Sequence, residues 1–238
     1  MKARITTHTR ISLKQEESVT PTHPASTSRR GRAALLVLLF TGIVVIAVVL
    51  VFALNGGQAA PPEPTPQIEG VTAVNPPIEL ANVTLTNQFG EQVALEDLEG
   101  KLALMFFGYT HCPDFCPATL DEFKRIREDL GDRAGDVQFV FVSVDGERDT
   151  PEVMRDYLAV RGVDDFVLGL TGPEDDVRAL GQPLGVFFER NTSSGSAAGY
   201  LVDHSTHSFL LDRNGDVRVV YSFTTPPDVI ADTIRPYL

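Results

Sequence analysis

"KLALMFFGYTHCPDFCPATLDEFKRIREDLG", residues 101–131, is the stretch that decides the fold. Its first part, residues 101–109, is a continuous apolar run with the length of a buried β-strand. Its last part, residues 117–131, predicts a helix with Pro117 at the first helical position and Gly131 at the end. The helical spacing is set by four apolar residues, Leu120, Phe123, Ile126 and Leu130. The segment therefore predicts a strand followed directly by a helix.

The chain's two cysteines, Cys112 and Cys116, fall between this strand and this helix. In open α/β sheets, ligands bind outside the carboxyl ends of the strands. A thiolate at a helix start also benefits from the helix dipole and from unpaired N–H groups. Three residues separate the cysteines, one more than in a thioredoxin-type redox site, so both sulfurs can converge on an ion. Disulfide exchange and metal binding both stay open, and metal binding is favoured.

The rest of the chain after residue 78 alternates strands with helices and ends in a hairpin and a helix. This order predicts an α/β sandwich with a mixed central sheet. The predicted elements are a hairpin over 82–98 turning at Phe89-Gly90, a strand over 137–145, a helix over 150–162 capped by Thr150, a short strand and a short helix before Pro183, a hairpin over 205–223 turning at Asn214-Gly215, and a final helix.

The N-terminal part predicts a membrane anchor. Residues 33–54 are 22 residues without a charge, enough to span a hydrocarbon core of about 30 Å. Residues 1–32 carry seven Lys or Arg against two Glu, which predicts a cytoplasmic tail and a C-terminal domain on the other side of the membrane. A cleavable signal peptide is the alternative, but its apolar region is normally about 7–15 residues long. Residues 55–77, with six prolines, predict an extended tether.

Residues 78–238 are long enough for one domain with a sizeable core. The whole chain has a net charge of −12 although residues 1–32 contribute +5, so the remainder carries −17. Such an acidic domain has nothing to neutralise phosphates, which excludes nucleic acid as a partner.

Three histidines outside the tail are candidates for a third group beside the cysteines. His111 is adjacent to Cys112, and adjacent side chains seldom point the same way. His204 and His207 are three residues apart in an extended segment, which sends them to opposite faces. One of the two can therefore face the cysteines. Two thiolates and an imidazole form a soft set that suits Cu(I) and also accepts Cu(II), whereas structural zinc takes four ligands.

Three blocks of this sequence together resemble the signature blocks of the Sco/SenC family. They are "FFGYTHCPDFCPATL", "FVFVSVDGERDTPEVMRDYL" and "VDHSTHSFLLDRNGDV". Members of that family are membrane-anchored, thioredoxin-fold copper-binding proteins required for building the dinuclear copper centre of cytochrome c oxidase. The resemblance implies a thioredoxin-like fold and the metal ligands Cys112, Cys116 and His204. One departure is Gly146, where the family usually has proline, and this leaves the role of Asp145 open.

The resemblance implies a metallochaperone that delivers copper to the copper-bearing subunit of the oxidase, with an upstream copper donor as a further partner. The alternative is a thiol–disulfide oxidoreductase that uses Cys112 and Cys116 to reduce the subunit's own copper-ligand cysteines. A peroxidase is a more distant alternative, because that chemistry does not require His204. No catalytic residue is predicted beyond the cysteine pair. Copper stoichiometry with and without His204 separates the first two functions.

Overall fold

The computed structural model of the chain describes residues 29–55, 68–193 and 199–238. The chain divides into two units, residues 1–63 and residues 64–238. In the first unit the described residues form one helix, α1 (Arg29–Asn55). Its segment Ala34–Val51 is long and apolar enough to cross a membrane, by length and composition. The predicted anchor lies within α1, whereas most of the predicted tail lies outside the described residues.

The second unit is built on a mixed sheet, as predicted. Its strands in chain order are β1 (Val71–Ile78), β2 (Thr84–Asn87), β3 (Gln92–Ala94), β4 (Leu102–Gly108), β5 (Val137–Ser143), β6 (Val167–Thr171), β7 (Phe188–Asn191), β8 (Leu201–His204), β9 (Ser208–Leu211) and β10 (Val217–Tyr221). Its helices are α2 (Phe115–Leu130), α3 (Pro151–Arg161), α4 (Glu174–Gly181) and α5 (Pro227–Ile234).

Eight of these strands form the main sheet, in the order β1-β10-β9-β4-β5-β6-β2-β3. The pairs β4–β5 and β5–β6 are parallel, and the other neighbours are antiparallel. The two remaining strands, β7 and β8, pair with each other in a small antiparallel sheet. Every residue of β4 is buried, as expected for a central strand covered on both faces. The cysteines follow the carboxyl end of β4, so they lie beside a central strand and far from both edge strands.

Both predicted hairpins are confirmed. β2 pairs with β3, and β9 pairs with β10, each in antiparallel register. The helix predicted over 117–131 begins earlier, at Phe115, so the placement of Pro117 at the first helical position is wrong. Pro117 is the third residue of α2, still within the first turn, where no intrahelical partner for its missing N–H is needed. As a result Cys116 belongs to the helix, and Cys112 belongs to the loop before it.

The predicted tether over 55–77 is wrong for its last residues. β1 begins at Val71 and pairs with β10, Val71 lying opposite Tyr221. The register shifts between Ala73 and Ile78, where the two prolines of this strand lie. Proline is tolerated there because β1 is an edge strand of the sheet. The folded domain therefore begins before residue 78, and residues 56–67 of the predicted tether lie outside the described part of the chain.

Candidate metal centre

The structure brings Cys112, Cys116 and His204 together at the carboxyl end of β4. One ligand atom from each residue lies within 4.8 Å of the others. The Cys116 Sγ atom is 3.6 Å from His204 Nε2. Both cysteines are buried and free. The three residues implied by the resemblance thus form one cluster, although 88 residues separate Cys116 from His204 in the chain.

A hydrogen bond at Nδ1 and the packing of the ring fix the orientation of His204. Its Nδ1 atom lies 2.8 Å from the carbonyl oxygen of Ser205. Because a carbonyl oxygen only accepts hydrogen bonds, Nδ1 carries the proton, and the lone pair of Nε2 faces the sulfurs. The ring packs edge-on against Tyr109 and Phe106, with centroid separations of 5.6 and 6.0 Å. His204 is therefore held with Nε2 toward the sulfurs, where it can bind a metal.

A buried carboxylate holds the loop that carries Cys112. Asp149 accepts hydrogen bonds from the backbone N–H and the hydroxyl of Thr110, at 2.9 and 2.6 Å. It accepts a third from the hydroxyl of Ser143, at 2.6 Å. These bonds tie the loop after β4 to the end of β5 and the start of α3. Asp149 lies within one of the blocks that resemble the family, but no pattern in the sequence indicates its role.

Gly108 leaves the space that Cys116 occupies. A Cβ atom on Gly108 would lie 2.6 Å from the Cys116 Sγ atom and 2.8 Å from ring atoms of Phe106 and Phe141. The neighbouring Tyr109 N–H points at the same sulfur, at 3.5 Å. The spacing of the cysteines does not by itself predict this role of Gly108. The available signal was a glycine ending an otherwise bulky apolar strand just before the cysteines.

The two thiols differ in acidity. The pKa of Cys112 is lowered from 9.0 to about 3, chiefly by a hydrogen bond from the Cys116 thiol. The backbone N–H groups of Asp114 and Cys116 lower it further, and burial opposes both effects. The pKa of Cys116 is raised, first by burial and then by the neighbouring sulfur. At neutral pH the metal-free pair therefore consists of a thiolate at Cys112 and a thiol at Cys116.

A second polar cluster positions the strand that carries His204. The Tyr200 hydroxyl donates to Asp145 at 2.7 Å, and the Arg148 guanidinium donates to the Tyr200 carbonyl at 3.0 Å. The same guanidinium lies 3.6 Å from the centre of the Tyr200 ring. Further along β8, the Val202 N–H donates to the Tyr109 hydroxyl. The buried Asp145, whose role the sequence left open, therefore connects the loop after β5 to the start of β8.

Gly146, which replaces the usual proline, lies against the backbone of the next loop. A Cβ atom there would lie 2.1 Å from the carbonyl oxygen of Gly172. A side chain would require this loop to move. Glycine at position 146 therefore permits a close approach of these two backbones.

The other two candidate histidines lie outside the cluster. His207 is exposed beyond the end of β8. His111 is also exposed, and its Nδ1 atom contacts the Thr110 hydroxyl at 3.0 Å and Asp149 at 3.7 Å. Within the described residues, no other His, Cys, Asp or Glu joins the group of three. A cavity of about 270 Å³, whose walls include Cys112 and His204, gives access to the cluster from solvent.

The chain is similar to known proteins over this domain. The family model described as SCO1/SenC matches residues 75–238. A SCO2-like protein of Rickettsia prowazekii is 37% identical over 131 residues, which are 55% of this chain and 63% of the relative, less than two thirds of its length. Protein SenC of Rhodobacter capsulatus is 31% identical over 155 residues, covering 65% of this chain and 68% of the relative.

Solved structures agree with this similarity. The structure of Bradyrhizobium japonicum ScoI with copper bound matches with a TM-score of 0.59 and 34% identity, covering 66% of this chain and 98% of that one. The structure of yeast Sco1 with copper bound matches with a TM-score of 0.60 and 29% identity, covering 68% of this chain and 88% of that one.

Proposed function

We propose that this chain, which belongs to the SCO1/SenC family, binds one copper ion through Cys112, Cys116 and His204 and delivers it to the copper-bearing subunit of cytochrome c oxidase. The observation that carries the proposal is the convergence of two sulfurs and one imidazole nitrogen within 4.8 Å. The copper-bound structures of two relatives support the choice of metal.

The donor set fits copper on chemical grounds. Thiolate sulfur and imidazole nitrogen suit Cu(I), and they also accept Cu(II). A structural zinc ion takes four protein ligands, and the cluster has no fourth member among the described residues. Three ligands beside a solvent-accessible cavity leave one side of the ion open to a ligand from another protein. This openness is what delivery requires, because the recipient must bind the ion before the donor releases it.

The proposed location follows from the N-terminal unit. α1 is long and apolar enough to serve as a single-pass anchor. The basic residues of the predicted tail favour a cytoplasmic N-terminus. The copper-binding domain would then lie outside the cytoplasm.

The test compares two histidines on one segment. The reduced chain should bind one copper ion per molecule, and Cys112→Ser or Cys116→Ser should each nearly abolish binding. His204→Ala should weaken copper binding and block oxidase assembly in cells grown at low copper. His207→Ala is the matched control and should leave both unchanged, because His207 is exposed and outside the cluster. Copper retained near one equivalent in the double cysteine variant would show that the metal binds elsewhere.

A second function, reduction of the recipient's cysteines, is favoured by one observation. The low pKa of Cys112 gives a nucleophilic thiolate beside a second free thiol, which is the arrangement used in thiol–disulfide exchange. The same experiment separates the two functions, since disulfide exchange needs the sulfurs and not the imidazole. Oxidase that assembles normally in cells carrying His204→Ala would favour the reductase and contradict delivery.

A further inference from the structure

Exposed aromatic side chains lie on the two segments that carry or adjoin the metal ligands. Phe115, the first residue of α2, lies between the two cysteines in sequence and is 45% exposed. Phe187 is 56% exposed and is joined to Ser205, the neighbour of His204, by two hydrogen bonds of 2.9 and 3.1 Å. Phe115 and Phe187 together form what we call the aromatic rim.

Packing within the domain does not account for the exposure of the aromatic rim. In the described part of the second unit, the exposed large apolar side chains are Ile68, Phe89, Phe115, Val160 and Phe187. Of the three phenylalanines in this set, Phe115 lines the cavity beside the metal centre and packs edge-on against Phe223. Phe187 pairs with the residue that follows His204. Half-exposed aromatic side chains beside a functional opening are typical of protein-binding sites, where they insert into pockets of the partner.

The charges around the aromatic rim indicate what kind of partner it takes. Asp114 and Asp203 are exposed and line the cavity, and no Lys or Arg lines it in the described residues. Glu189 is exposed and lies directly opposite Asp203 in the β7–β8 pair. Like charges placed opposite one another destabilise a strand pair, so a basic partner would relieve them. The same carboxylates repel an anionic lipid surface, which disfavours the membrane as the occupant.

We propose that the aromatic rim and these three carboxylates form the docking surface for the protein that receives copper from this chain. The inference rests on the proposed function and adds the partner's chemistry, an apolar surface around soft copper ligands with Lys or Arg at its edge. In the transfer, each bond from copper to this chain that breaks is replaced by a bond to the recipient. Copper keeps its oxidation state, and each proton that a recipient thiol loses on binding copper passes to a sulfur of this chain or to solvent.

The test measures copper transfer from the full chain in detergent to two acceptors. The protein acceptor is the reduced, metal-free copper-binding domain of the oxidase subunit. The small acceptor is a Cu(I) chelator, which needs no docking surface. Phe115→Ser and Phe187→Ser, made separately and together, should lower the rate constant of transfer to the protein at least tenfold. Transfer to the chelator and copper content should stay unchanged.

The chain offers matched controls for both parts of the surface. Phe89→Ser removes an aromatic side chain that is 63% exposed at the β2–β3 turn, and it should transfer at the unsubstituted rate. Glu189→Gln with Asp203→Asn should slow transfer to the protein and flatten its dependence on salt, as expected when steering charges are lost. Asp132→Asn removes an exposed carboxylate that precedes β5, near the amino ends of β4 and β5 and away from the cysteines, and it should do neither.

Three results would overturn the proposal. One is transfer to the protein acceptor at the unsubstituted rate by loaded rim variants. Another is an equal slowing of transfer to the chelator, since the rim would then act on the metal centre itself. The third is a rim effect that appears only as weaker binding to phosphatidylglycerol vesicles, which would make the rim a membrane contact. Failure of the proposed function is distinguishable, because the unsubstituted chain would then either not load copper or not transfer it to the protein acceptor.

Discussion

Gly108→Ala tests whether the backbone at the end of β4 sets the position of the Cys116 sulfur. The added Cβ atom would lie 2.6 Å from Cys116 Sγ, while ordinary van der Waals contact begins at 3.4 Å. The sulfur or the strand must therefore move by about 0.8 Å. Ring atoms of Phe106 and Phe141 at 2.8 Å close the other directions, and Cys116 is fully buried. Overpacking of this kind costs about 1–3 kcal/mol of folding stability.

The same displacement should reach the metal. A metal–sulfur bond is about 2.3 Å long, so a shift of about 0.8 Å is a third of the bond length. We expect copper affinity to fall about 10–100-fold, the range seen when groups supporting a ligand are lost. Affinity is measured by competition with a Cu(I) chelator, and stability by thermal unfolding of the metal-free chain.

Gly135→Ala is the control for this substitution, because a Cβ atom at Gly135 meets nothing within 4 Å. It should leave both affinity and melting temperature unchanged. The reasoning is refuted if Gly108→Ala binds copper as tightly as the unsubstituted chain and melts at the same temperature.

The remaining predictions concern thiol reactivity and topology. Because its lowered pKa of about 3 keeps Cys112 a thiolate in the reduced, metal-free chain, its alkylation by iodoacetamide should change little between pH 7 and pH 5, as followed by mass spectrometry. A thiol with the ordinary pKa of 9.0 would slow about a hundredfold over those two pH units; such slowing at Cys112, or faster alkylation of Cys116, would contradict the assignment of the thiolate. Protease added to intact spheroplasts should digest the C-terminal domain, and protection of that domain would show that the proposed orientation is wrong.

The sequence predicts β4, α2 and the position of the cysteines between them well, because the signals for all three are local. Apolar length, helical spacing and the position of two cysteines all lie within residues 101–131. β1 was missed because its pairing with β10 joins segments about 150 residues apart, and its prolines are typical of a linker. An edge strand tolerates prolines and exposed residues, so its sequence lacks the continuous apolar run that marks a central strand.

The support of the site could not be predicted for the same reason. Asp149 reaches Thr110 across 39 residues, and Tyr200 reaches Asp145 across 55. No spacing rule links such pairs, since their contact depends on how β5, α3 and β8 come together. The alternation of side chains along an extended segment places His204 and His207 on opposite faces. It does not say which of the two faces the cysteines, and only the resemblance to the family indicates His204.

The two functions open to the cysteine pair make different demands on the rest of the site, and the structure meets the demands of copper. Disulfide exchange requires an accessible thiolate and a nearby thiol, which Cys112 and Cys116 supply between them. It does not require a third group held with its nitrogen lone pair toward the sulfurs. His204 is held that way by the Ser205 carbonyl and by two aromatic rings. These contacts suit a metal ligand, whereas disulfide exchange requires only the two sulfurs, so His204→Ala is the substitution that separates the two proposed functions.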